Sequence, residues 1–95
     1  AVNLNPDHAE ARYNLGVIYT QQERYDDAAR EFQSVLRLKP DHAMARNNLG
    51  GIYVYQGRYE EALREIQTAF KLNPDIEDIR YNLELIKGLI KESRK

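Results

Sequence analysis

Sliding the 95-residue sequence along itself by 34 positions aligns Leu4-Asn5-Pro6-Asp7 with Leu38-Lys39-Pro40-Asp41 and again with Leu72-Asn73-Pro74-Asp75. The same shift matches Ala9-x-Ala11-Arg12-x-Asn14-Leu15-Gly16 with Ala43-x-Ala45-Arg46-x-Asn48-Leu49-Gly50. Roughly half of the two complete units is identical, so the chain must be built from stacked copies of one supersecondary unit. A period of 34 is too short for a self-sufficient domain. Each copy therefore needs a neighbour to bury its apolar face.

Within a unit the apolar residues follow helical spacing twice. Ala11, Leu15, Ile18 and Tyr19 mark a first helix, and Ala28, Phe32, Val35 and Leu36 a second. Asp7, Asp41 and Asp75 each follow a proline and are expected to cap the first helix of their unit. Asp26-Asp27 and Glu60-Glu61 open the second helices, where negative charge meets the positive end of the helix dipole. Gly57 marks the turn inside the second unit; the first unit has Glu23 there, at an expected cost in stability.

These residues resemble the tetratricopeptide repeat, whose unit carries Leu-Gly-x-x-Tyr, then Ala, a large apolar residue and Pro at fixed offsets. The matching residues are Leu15-Gly16-x-x-Tyr19, Ala28, Phe32 and Pro40, then Leu49-Gly50-x-x-Tyr53, Ala62, Ile66 and Pro74. The resemblance implies an all-α fold, a right-handed α-solenoid of antiparallel helix pairs. The organisation expected is residues 1–6 as the tail of a preceding unit's second helix, 7–40 and 41–74 as two full units, and 75–95 as a capping helix. In that helix Glu84 and Lys87 replace the motif's Gly and Tyr. Ile76, Ile79, Leu83, Ile86 and Ile90 should close the core. One departure from the family is systematic: Arg12, Arg46 and Arg80 occupy a position usually large and apolar. Their aliphatic stems should pack while each guanidinium reaches an acid.

The resemblance also implies function, that of a protein-interaction module holding a peptide segment of a partner in the groove of stacked first helices. The groove positions it designates are Glu10, Tyr13, Asn14, Val17, Thr20 and Gln21 in the first unit. A shift of 34 gives Met44, Asn47, Asn48, Gly51, Val54 and Tyr55, then Asp78, Tyr81, Asn82, Leu85, Gly88 and Leu89. Tyr13, Asn14, Val17, Met44, Asn47, Asn48, Tyr55, Tyr81, Asn82 and Leu85 are the candidate peptide contacts. Asn14, Asn48 and Asn82 would form a ladder, similar to that of peptide-binding arrays in this family, because a primary amide both donates to and accepts from an extended main chain. Amides that bond only water or neighbouring helices are the alternative. Other members of the family clamp carboxylate termini with Lys and Arg. This chain has Tyr13, Val17 and Asp78 at such positions and keeps only Asn48 and Asn82, so an apolar, neutral to mildly basic partner is expected.

Several functions find no support. The 14 Lys and Arg are balanced by 15 Asp and Glu, which leaves no basic footprint for nucleic acid. There is no cysteine, and His8 and His42 lie a repeat apart, read as exposed turn residues; no metal or other cofactor is expected. No nucleophile-base arrangement or phosphate loop suggests an enzyme. No apolar run would insert in a membrane, so a soluble protein is expected, with the cytoplasm as the favoured compartment. A structural, self-assembling or engineered array without a ligand is the alternative reading. A weak homodimer through Tyr81, Leu85 and Leu89 fits the apolar stripe these residues form.

Overall fold

The computed structural model describes residues 6–94, and among these every regular element is a helix. Of the expected tail at residues 1–6, all but Pro6 lies outside them, and Pro6 is the first residue of α1. In chain order the helices are α1 (Pro6–Gln21), α2 (Tyr25–Leu38), α3 (Ala43–Tyr55), α4 (Tyr59–Leu72) and α5 (Glu77–Ser93). Consecutive helices pack on each other, α3 also touches α5, and the result is an elongated solenoid of 53 × 28 × 18 Å.

The second helices carry the cleanest apolar stripes. Ala28, Phe32 and Val35 of α2 and Ala62, Ile66 and Ala69 of α4 are completely buried. Each stripe faces a first helix that has glycine at the crossing. A β-carbon on Gly16 would lie 2.8 Å from the Phe32 ring, and one on Gly50 3.2 Å from Ile66 Cδ1, so the glycines set how closely the two helices of a unit approach. Acids in the first turn (Asp26 and Asp27, Glu60 and Glu61, Glu77 and Asp78) and a base in the last (Arg37, Lys71, Lys91) suit the dipoles of α2, α4 and α5.

The first helices are not equivalent in burial. Ala45, Leu49, Ile52 and Tyr53 of α3 are buried, whereas of their counterparts in α1 Ala11 and Ile18 are exposed and Leu15 is half-buried. The expected α1 stripe is thus only partly core, because α3 is covered by α2 on one side and α4 on the other. Among the described residues no helix packs on the outer side of α1. In α5 four of the five expected residues close the core, with Ile79, Leu83, Ile86 and Ile90 buried, while Ile76 is half-buried at the cap position.

Helix entry also departs from the sequence reading. α3 begins at Ala43, so its cap is His42, whose Nδ1 accepts from the Ala45 amide at 3.1 Å, and not Asp41. Asp75 likewise stands one residue before the Ile76 cap of α5. The arginines behave as expected in both full units: Arg12 reaches Glu31 at 3.0 Å and Arg46 reaches Glu65 at 2.9 Å.

The turns after α1 and α3 are the same object built from different residues. Arg24 N–H donates to Tyr19 O and Glu23 N–H to Thr20 O; Arg58 N–H donates to Tyr53 O and Gly57 N–H to Val54 O. This is the paired closure that needs a left-handed residue just past the helix. Gly57 adopts φ +75° freely, whereas Glu23 is held at φ +61°. A side chain there costs about 1–2 kcal/mol, partly offset by the lower unfolded-state entropy of a non-glycine residue. Glu23→Gly is therefore expected to stabilise the chain by about 0.5–1 kcal/mol, measured as a higher urea midpoint at unchanged slope.

Candidate functional site

Where α1, α3 and α5 stand side by side, their spacing opens a cleft of 210 Å³ lined by Val17, Thr20, Gln21, Asn47, Asn48, Gly51, Ile52, Tyr55 and Asn82. Residues three and four apart on one helix share a face, so α1 and α3 each contribute one short stripe, and α5 adds Asn82. Gly51 keeps the floor open, since a β-carbon there would meet nothing within 4 Å. Val17 and Ile52 supply apolar wall, and the remaining polar atoms are amides and hydroxyls. No carboxylate, ammonium or guanidinium lines the cleft, and its electrostatics are those of dipoles.

Two hydrogen bonds fix those dipoles across units. Asn48 Nδ2 donates to the Tyr13 hydroxyl at 3.0 Å, and Asn82 Nδ2 donates to Asn47 Oδ1 at 2.9 Å. Tyr13 is itself held, stacked on His42 with centroids 5.1 Å apart and edge-on to Phe32 at 5.7 Å. Thus His42, read from sequence as a turn residue, caps α3 and braces the tyrosine that orients Asn48. Both asparagines retain capacity after these bonds: among the described residues nothing donates to the carbonyl oxygens of Asn48 and Asn82. Asn47 is only 4% exposed, and among the described residues no buried side-chain nitrogen or oxygen lacks a partner.

The candidate residues divide into three groups. Val17, Asn47, Asn48, Tyr55 and Asn82 meet at the cleft. Tyr13 stands behind it, half-buried, and Met44 is half-buried on α3. Asn14, Tyr81 and Leu85 are exposed beyond the cleft, Tyr81 by 69% and Leu85 by 45%. Of the three asparagines one repeat apart, Asn48 and Asn82 each bond a side chain of the neighbouring first helix, while Asn14 is exposed on the outer unit. Ile52 lines the cleft although sequence places it on the core stripe; it does both, with 1% of its surface exposed.

Tyr55 is 67% exposed but not loose, because it stacks on Tyr25 of α2 at 4.7 Å with the rings 7° apart. Burial, and then the Glu23 carboxylate, push the Tyr25 phenol above its ordinary value. Charge gathers elsewhere, in the Arg12–Glu31 and Arg46–Glu65 pairs and in the Arg24–Asp27 and Arg58–Glu61 pairs beside the turns.

Comparison with known proteins agrees with this architecture. The family described as Tetratricopeptide repeat matches residues 19–84, and a second family of the same description matches residues 1–30. The curated proteins contain no match. Among solved structures, the chain is similar to the C-terminal TPR-containing domain of a Plasmodium falciparum protein described as an FK506-binding protein, with TM-score 0.84 and 31% identity. That similarity covers 90% of this chain and 57% of the other, so the chain spans little more than half of its structural neighbour. No described helix is long and apolar enough to cross a membrane.

Proposed function

The chain belongs to the tetratricopeptide repeat family, a fold that generally serves as a protein-interaction module, and on that premise we propose that the cleft between α1, α3 and α5 binds an extended, uncharged or mildly basic peptide segment of another protein. The observation that carries this reading is the pairing of fixed amide dipoles with spare bonding capacity and an apolar wall, in a cleft with no formal charge. Asn47, Asn48 and Asn82 would bond the main chain of the segment, Val17 and Ile52 would take an apolar side chain, and Tyr55 would lie along it as a rigid aromatic surface. Met44, Asn14, Tyr81 and Leu85 would extend the contact at either side. Glu10 and Asp78, both exposed near this face, favour basic over acidic flanks.

The test is selection from a peptide array, followed by calorimetric titration of the selected peptide. Asn48→Ala should weaken binding by about 1–3 kcal/mol, as two bonds of about 0.5–1.5 kcal/mol each are lost, with the fold unchanged. Tyr13→Phe should weaken it by a smaller amount, because the amide survives but loses the hydroxyl that orients it. Selection of acidic peptides, or an Asn48→Ala protein that binds as tightly as the parent, would refute the reading.

A further inference from the structure

A second cleft lies on the other side of α5. It measures 340 Å³ and is lined by Gln67, Phe70 and Lys71 of α4 and by Leu83 and Lys87 of α5. Its floor is apolar, with Phe70 half-buried and packed against the core edge, and its rim carries two lysines. Arg80 stands on the same stripe of α5, three residues before Leu83 and seven before Lys87. The repeat shows what an arginine at this position does: Arg12 and Arg46 each grip a glutamate of the helix that packs on their own, at 3.0 and 2.9 Å. Arg80 is exposed and has no carboxylate partner among the described residues. Two acids share this spacing on α5: Glu77, exposed three residues before Arg80, and Glu84, which pairs with Lys87 at 3.6 Å with both side chains largely exposed.

We propose that this face, formed by Arg80, Leu83 and Lys87 of α5 with Phe70 and Lys71 of α4, docks an acidic amphipathic helix of another protein. Its apolar side would fill the floor and its carboxylates would engage Arg80, Lys71 and Lys87. Complementary charge selects the occupant, since Lys71 and Lys87 rim the cleft and Arg80, further along the same stripe of α5, repeats a glutamate-gripping position. Steric argument excludes a helix packed as tightly as α2 on α1. Close approach there requires Gly16, and α5 has Glu84 in that place, so the visitor stands further out and long charged side chains bridge the gap. The site lies apart from the groove proposed above and does not depend on it.

The experiment uses two acetylated, amidated peptides of identical leucine pattern, one with glutamate and one with lysine on the flanks, titrated into isotopically labelled protein and followed by NMR. The acidic peptide is expected to shift amides near Phe70, Leu83 and Lys87, and the basic peptide to shift none. Arg80→Glu and Lys87→Glu, both at exposed positions, should each weaken the acidic peptide on the order of tenfold, and added salt should weaken it further. Asn48→Ala should leave this binding unchanged, so that failure here and failure of the groove reading are told apart. The proposal is overturned by equal binding of both peptides, by shifts centred on Asn48 and Asn82, by charge reversal without effect, or by no shift at roughly millimolar peptide. It is also overturned if the protein alone gains mass with concentration and Lys87→Glu abolishes the gain, because the occupant is then a second copy of the chain.

Discussion

Phe32→Ala should lower the free energy of unfolding by about 3–5 kcal/mol, the upper range for large-to-small substitution in a core. The ring is completely buried, lies under Gly16 and meets Tyr13 edge-on, so it joins α2 to α1 and supports the wall behind the cleft. No neighbour can fill the space cheaply, since Gly16 has no side chain to extend. A domain of this length has on the order of 5–14 kcal/mol of stability in all, from roughly 0.05–0.15 kcal/mol per residue. The single change should therefore move the urea transition, followed by circular dichroism, far toward zero denaturant. A loss under about 1.5 kcal/mol, well below that range, would mean that α1 collapses onto α2 and closes the gap.

Ile86→Ala is expected to cost a comparable 2–5 kcal/mol but to act in a different place. Ile86 is 1% exposed on α5, which rests on α4 and, less extensively, on α3. Weakening that seat should free α5 before the remaining helices open, as expected of an array stabilised through nearest-neighbour interfaces. Hydrogen exchange should show protection falling most in α5 and least in α1 and α2. An equal fall in every helix would show that the five helices open as one block. The comparison with Phe32→Ala is informative because the two lesions are similar in size and lie at different helix interfaces.

The architecture was legible because a 34-residue period, Leu-Gly-x-x-Tyr and a proline after each second helix leave few ways to arrange the chain. The Arg12 and Arg46 pairs were legible in kind, since a long cation at an apolar position needs an acid; the 19-residue reach to Glu31 and Glu65 required the helix packing. Burial of the first helices could not be read. Ile18 and Ile52 are the same residue at the same place in the repeat, yet one is 47% exposed and the other 1%, because burial depends on which helices lie alongside. The cap of α3 failed by one residue. Asp41 and His42 both carry acceptors, and only the start of the helix at Ala43 decides between them.

The cleft shows the same division. Spacing of three and four placed its residues on shared helix faces, and the repeat carried the pattern from unit to unit. The Tyr13–Asn48 and Asn47–Asn82 bonds join positions 35 apart, one more than the period, so aligning the repeats with themselves does not reveal them. They arise because the two sides of a first helix face different neighbours, so a side chain on one side meets the next sequence position on the following first helix.

That offset of 35 also sets how far the chain must search to become ordered. The hydrogen bonds that tie one unit to the next close loops about one repeat long, and each helix packs chiefly on those beside it in sequence. Loop-closure entropy rises slowly with length and must be overcome before a contact forms, so ordering proceeds in small steps with no distant partner to await. A growing chain could dock α2 on α1 as soon as both had emerged, and every later helix would find its template already in place.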